Sequence, residues 1–465
     1  MELFTSFLGT ANDFLYSKFL IIALILTGLY FTIRTGFVQI RMVPEGIRVI
    51  REKGGEGSLS SFQALMIATA SRVGTGNIAG VATAIVAGGY GAVVWMWLMC
   101  LIGGASAFIE STLAQIYKKK DGQIFKGGPA YYIETALHAR WLGIIFAILL
   151  ILCFAFGFNG LQSFNISSAF EYYIPDFANS HVPMLIGVIL AVLSGVLFFG
   201  GAHRIGKASS TLVPVMAVIY ILIGLCIICF NAGKIPTILG MCFKAAFDFH
   251  AIFGGFAGSC VVIGIKRGLF SNEAGMGSAP NAAAAADVSH PVKQGLVQVL
   301  SVFIDTLILC STTAFIVLLG GKFTVGGELN GIPLVQQSVA AQFGEMGIHV
   351  VTVAICLFAF TSIIGNYFYA EANIKFISQS KGFMFIFRLL AVCMIFVGAQ
   401  VSMSTAWDLA DVLMGLMATV NILAILLLGN IAIKALNDYK AQKAAGKDPV
   451  FKAADIGLND TEVWK

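Results

Sequence analysis

Charge is what this chain has least of. Asp, Glu, Lys and Arg make up 11% of its 465 residues, against roughly 25% in a soluble globular domain. That shortage excludes an ordinary water-soluble fold. Other absences narrow the function. No complete Walker A sequence is present, which counts against ATP-driven transport. The six histidines lie near span ends or in loops and show no metal-ligand spacing. No acid, base and nucleophile converge, so an enzyme is disfavoured, and no repeated basic span suggests a voltage sensor. The first apolar run lacks a basic leader, since Glu2 and Asp13 precede it, and no small-residue cleavage site follows; it reads as a retained span. Cys226 and Cys229 form the one CxxC pair, but on an apolar helical face where packing outweighs redox chemistry.

What is abundant is apolar. Hydrophobic residues are 58% of the chain, with 38 Phe and 51 Gly, a composition suited to packed membrane helices. Runs of about 20 apolar residues cross a bilayer. The expected spans are Phe19–Ile33, Phe62–Ala87, Ala92–Ile116, Leu142–Phe170, Pro183–Phe199, Leu212–Phe230, Phe247–Phe270, Leu296–Leu319, Val350–Tyr369, Leu389–Met403 and Leu409–Ile433. The fold class is therefore an all-α polytopic membrane protein with eleven transmembrane helices.

Basic residues orient it. Segments 34–60, 118–140, 201–208, 264–293, 375–388 and 434–465 hold 24 of the 29 Lys and Arg. Basic loops stay in the cytoplasm, which places the N-terminus outside and the C-terminus inside. The net charge of +5 is then a topological signal and gives no reason to expect a nucleic-acid partner. The tail 434–465 is expected to be a solvated, basic cytoplasmic end near anionic lipid.

Residues 1–60 supply one extra helix and a linker. The other ten spans divide into 61–230 and 247–433, five spans each and opposite in orientation, a 5+5 inverted repeat. Each half opens on a span interrupted by glycine: Arg72-Val73-Gly74-Thr75-Gly76-Asn77 in the first and Gly254-Gly255-Phe256-Ala257-Gly258-Ser259 in the second. Backbone polar groups need partners in hydrocarbon, so unwound chain persists only where it lines a polar cavity. Paired interruptions point to a substrate and ion site, although close packing by small residues also uses glycine. Ala282–Ala286 reads as a short surface helix in a loop.

A carboxylate suits the free N–H groups of a half-helix start, where Gly74 and Gly76 admit close approach and Thr75 and Asn77 add oxygens. A hard cation such as Na⁺ wants several oxygens. Carbonyls near Ala70, Arg72 and Val73 and the hydroxyls of Thr361 and Ser362 are candidates, with hydroxyls bonded back to their own helix as the alternative. Asp305 lies near mid-depth and suits ion or proton coupling, while Glu110 and Glu371 fit gating or interfacial solvation. Arg72 needs an anion, for which Asp305 and Glu273 are available. Asn159, Gln162 and Asn165 lie close together on one span and suit a polar substrate or interhelical bonds.

These residues resemble the alanine/glycine:cation symporter family. The matching stretches are SRVGTGNIAGVATAI from Ser71, WMWLMCLIGGASAFIESTLAQIYK from Trp95, GGPAYYIE from Gly127, KRGLFSNEAGMGSAP from Lys266 and FIDT from Phe303. The resemblance implies a leucine-transporter-like fold. It also implies that Gly74 and Gly76 meet the substrate carboxylate, and that Asn159, Gln162, Phe256 and Ser259 face the substrate. Ala70, Val73, Thr361 and Ser362 would form one sodium site; Asn77 and the Arg72 carbonyl would contribute to a second. Asn366 stands where the family is expected to carry Trp or Asn, and an amide there suits a polar substrate such as glutamine. The expected function is Na⁺-coupled import of a small neutral amino acid (alanine, glycine or glutamine) by alternating access in a bacterial cytoplasmic membrane. Proton coupling or exchange is the alternative, and a channel a weaker one.

Overall fold

The computed structural model describes residues 2–52, 54–55, 58–122, 124–248, 259–401 and 403–465, with backbone alone at 2–7, 17–18, 178, 202–203 and 403–406. Helices dominate. The sheet among the described residues is one hairpin, β1 (Lys119–Asp121) and β2 (Ile124–Lys126), antiparallel with Lys120 opposite Phe125.

Helix α1 (Glu2–Phe14) runs through a π-helical stretch into α2 (Ile21–Thr35). α3 (Ser61–Arg72) starts at Ser60, whose hydroxyl accepts from the Gln63 N–H while the Gln63 side chain returns to Ser60, a reciprocal cap. After a break the chain resumes as a π-helical turn, Gly76–Gly80, and α4 (Val81–Gly88). α5 (Gly91–Ile116) leads to the hairpin. A second π-helical stretch, Leu152–Phe158, joins α6 (Arg140–Ile151) to α7 (Asn159–Ser168), and α8 (Val182–Phe198) and α9 (Ala202–Phe230) follow. The second half holds α10 (Cys260–Asn272), α11 (Pro280–Ala285), α12 (Pro291–Phe303) and α13 (Ser311–Gly320), the last two joined by π-helical Ile304–Cys310. α14 (Glu345–Ile377), α15 (Lys381–Gly398) and α16 (Met403–Ala444) complete the bundle.

Among the described residues, seven helices are long and apolar enough to cross a membrane. Of the remaining expected spans, Ile21–Thr35 and Val182–Phe198 are shorter apolar helices, and the one from Phe62 is divided at its glycine-rich break. α5 is the central post: every residue from Gly103 to Ile116 is buried, packed against α10, α11, α12 and α2. α8, α9 and α15 instead expose apolar faces, with Val192, Val196, Leu222 and Leu390 outward, as lipid contact requires.

Of the expected interruption in Phe247–Phe270, residues 249–258, including Gly254, Gly255 and Phe256, lie outside the described residues, and Ser259 is the N-cap of α10. The described residues show an interruption further on, between α10 and α11. Three expectations change. Ala282–Ala286 is fully buried at that break, its small side chains serving close packing on α5. Lys266 and Arg267, counted with a cytoplasmic segment, lie within α10 beside Asp411, Arg267 buried and Lys266 half-buried. The tail is docked, because Phe451 and Trp464 are buried.

Candidate functional site

Two helix breaks meet in the middle of the bundle. α3 stops because Val73 leaves helical geometry (φ −79°, ψ 84°). The Gly74 N–H, which would bond the Ala70 carbonyl in a continuing helix, donates instead to Asn77 Oδ1 (3.0 Å). The Asn77 N–H, due to Val73, turns to the Gly74 carbonyl (3.3 Å). The released carbonyls of Ala70 and Val73 both accept from the Ser362 hydroxyl of α14, at 2.9 and 3.3 Å. Gly74 is required there, since a Cβ would fall 2.1 Å from Ser362 Oγ. Three oxygens of three residues thus converge on one point, a donor set that suits a hard monovalent cation.

The second break uses positive φ at Glu273 (56°), Gly275 (84°) and Gly277 (86°). Its exposed amides are held by Glu110 of α5, which accepts from Gly275 N–H (3.3 Å) and Gly277 N–H (3.1 Å) and from Asn421 Nδ2 (2.7 Å). Glu110 is therefore a staple for the unwound chain. Glu273 reaches back to the first break: Ser71 Oγ donates to its Oε1 (3.0 Å) and Ser278 Oγ to its Oε2 (2.6 Å). Ser71 Oγ also lies 2.7 Å from Asn366 Oδ1, and Asn366 Nδ2 donates to Asn159 Oδ1 (3.0 Å). A buried polar chain therefore runs from α7 through α14 and α3 to α10.

Gln162 occupies the place expected for a carboxylate, its Oε1 accepting from the Thr75 N–H (3.1 Å). Thr75 Oγ1 and Asn159 Nδ2 are buried without protein partners, which fits a site made for a polar ligand. Asp305, in the π-helical stretch, accepts from Asn77 Nδ2 (2.7 Å), Ser271 Oγ (2.8 Å) and Thr306 Oγ1 (3.0 Å).

Some expected residues stand apart. The Thr361 hydroxyl donates to the Phe358 carbonyl (2.9 Å) and lies 3.4 Å from Met216 sulfur. It turns back along its own helix, as hydroxyls in helices often do. Ser259 caps Val262 at the far end of α10. Gly76 packs on aromatic carbon: its Cβ would meet the Phe270 ring at 2.9 Å. Arg72 forms no ion pair with Asp305 or Glu273; its Nη1 reaches Gln298 Oε1 (3.2 Å), while Nε and Nη2 are buried without partners. Asn165 bonds its own helix at Leu161.

Other residues were not anticipated. Phe270 packs between Phe158 (centroids 4.8 Å) and Trp407 (4.9 Å) with its ring tilted to both, covering the break. Arg267 lies over Trp407 at 4.2 Å and clasps Asp411 with two bonds (3.1 and 3.0 Å), and Lys266 adds a third contact at 2.7 Å. At the opposite end Lys375 pairs with Asp121 (3.0 Å) and Glu371 (3.2 Å). Asp411 and the glycines of Asn272–Ser278 were visible as a charge and a break within apolar sequence. The aromatic lid carried no signal distinct from lipid-facing phenylalanine.

Discontinuous helices crossing at a polar, doubly closed centre define a secondary membrane transporter. The fold agrees with solved transporters: MhsT in complex with L-phenylalanine is similar with a TM-score of 0.59 at 14% identity, covering 83% of this chain and 99% of that one. A manganese transporter of Eremococcus coleocola gives 0.51 at 15% identity, covering 87% and 81%. The sequence profile of the sodium:alanine symporter family matches residues 1–453, and the chain belongs to that family. The probable sodium/glutamine symporter GlnT of Bacillus subtilis is 47% identical over 98% of this chain and 95% of its own length. The sodium/alanine symporter AgcS of Methanococcus maripaludis is 37% identical over 95% and 99%.

Proposed function

We propose that this protein couples Na⁺ entry to import of a small neutral amino acid, with Ser362 Oγ and the Ala70 and Val73 carbonyls as the core of a sodium site. The observation that carries this reading is the convergence of those oxygens on a helix break. The ion binds the broken form of α3, and the substrate binds beside it at Gly74, Thr75, Gln162, Asn159 and Asn366. Each ligand favours the same arrangement, so their affinities rise together. A substrate carboxylate displaces Gln162 from the Thr75 N–H, and Asn366 offers an amide to the side chain. Glutamine is thus transported at least as well as alanine. GlnT supports that preference by its similarity.

Asp305, with Ser271, Thr306 and Asn77, is the place for a second cation, either Na⁺ or a proton. The eleven-span count rests on joining α3 with α4 and α10 with α11 across their breaks. The two joined spans, oppositely directed by the basic loops, each open one half of the 5+5 repeat of a bacterial cytoplasmic-membrane protein with its N-terminus outside. Uptake of labelled amino acids into proteoliposomes tests the whole reading. Replacing Na⁺ by choline at constant pH should abolish concentrative uptake, and uptake that persists on a proton gradient alone would refute sodium coupling.

A further inference from the structure

Past Ala444 the chain folds back onto the end of the bundle that holds the hairpin. The Phe451 N–H donates to the Ser289 carbonyl (2.9 Å), and the Ser289 hydroxyl to the Pro449 carbonyl (2.8 Å). The Phe451 ring meets His290 edge-on, and Lys293 pairs with Asp448 (3.1 Å). The segment then turns so that the Ala453 N–H reaches the Trp464 carbonyl (3.1 Å). Trp464 is buried, its indole N–H donating to the Gln115 carbonyl at the end of α5 (2.7 Å).

Those last residues hold the hairpin. The Lys118 ammonium lies over both the Phe125 ring (4.0 Å) and the Trp464 ring (4.7 Å). The Glu462 carboxylate accepts from the Lys120 N–H (3.0 Å). Phe125 has a second neighbourhood. With Asp121 and Lys126 it lines one wall of a cleft whose other wall is Phe368, Ala372 and Lys375 of α14. The Asp121–Lys375 pair bridges the cleft. Asn281 of α11 also lines it and accepts from Asn373 Nδ2 of α14 (3.0 Å). α11 directly follows the second break, so the cleft is walled in part by the element that leads away from the buried site.

We propose that residues 446–465 form a latch that keeps the hairpin seated and the cleft closed, setting the rate at which the site opens to this side. This rests on the alternating-access reading given above. The latch contacts exist only while the hairpin lies against the end of α5, and a contact present in one state alone biases the equilibrium towards it. Trp464 and Glu462 lie past residue 453, where the family profile ends.

The test uses purified protein with the exposed Cys226, Cys229 and Cys393 changed to Ser and with Ala372→Cys as reporter. Labelling by a water-soluble maleimide is timed without sodium or substrate, so its outcome is independent of whether the coupling ion and substrate are correctly assigned. Trp464→Ala and truncation after Gly446 should each speed labelling about fivefold, the shift expected from losing a cation–π contact and a hydrogen bond. Trp464→Phe keeps the ring but loses the indole N–H, so its rate should fall between those of the full-length protein and Trp464→Ala. Equal rates in the full-length and truncated proteins overturn the latch.

Discussion

At the scale of single residues, Ser362 and Thr361 are neighbours with different partners. Ser362 bridges two freed carbonyls, while Thr361 serves its own helix. Ser362→Ala should raise the Na⁺ concentration for half-maximal uptake about tenfold, the size of one lost ion-directed contact. Thr361→Ala should change it by less than about twofold, because its hydrogen bond is internal to a helix and solvent-independent. Sodium titration of uptake in both variants decides this; equal shifts would place the ion on both hydroxyls. Gly74→Ala should abolish uptake in correctly inserted protein, since its Cβ occupies the position of the Ser362 hydroxyl. Retained wild-type sodium dependence would mean that the hydroxyl does not have to sit there.

At the scale of elements, the second break is sustained by a side chain on another helix. Glu110 satisfies two amides that α10 and α11 cannot. Glu110→Ala should cost about 1–3 kcal/mol for each amide left unpaired in a buried place, read as a lowered Tm of the detergent-solubilised protein. Unchanged stability would show that water or Asn421 takes over the amides. The lid is a comparable cross-element device. The buried Asp411 neutralises Arg267 and Lys266, and α1 with the π-helical stretch after it braces the group, because Tyr16 Oη donates to the Asp411 carbonyl (3.0 Å) and Lys266 Nζ to Asn12 Oδ1 (2.9 Å). Asp411→Asn leaves the buried Arg267 and the half-buried Lys266 without their carboxylate partner, so it should favour the open lid and speed substrate release on that side. Release timed by dilution of preloaded protein checks this, and an unchanged rate would remove the lid from gating.

At the scale of the whole molecule, function needs one closed centre reached alternately from two ends. The Asn159–Asn366–Ser71–Glu273 chain crosses that centre and ties four helices together. Asn366→Trp removes an amide from it and fills the pocket with apolar volume. Preference should therefore shift from glutamine towards alanine, because lost hydrogen bonds discriminate more strongly than lost volume. Competition of both amino acids against labelled substrate, in wild type and variant, measures the shift; an unchanged order would eliminate Asn366 as selector.

Much of this was legible before any fold was known. The scarcity of charge and the apolar runs made the chain a helical membrane protein, since a bilayer leaves few alternatives to the helix. The Arg72–Asn77 interruption marked the first break because glycine in a span is conspicuous, and Thr361 and Ser362 stood out together as a hydroxyl pair in an apolar helix. The position of the second break was not so legible. Two glycine-rich stretches follow one another in 254–277; residues 254–258 lie outside the described residues, and the packing of Glu110 onto the amides of Gly275 and Gly277 identifies the second as unwound chain at the centre. The orientation of the Thr361 hydroxyl, the pairing of Arg267 with Asp411 and the docking of Trp464 were likewise decided in three dimensions. Each joins residues more than a hundred positions apart or depends on a rotamer, and one-dimensional spacing carries neither.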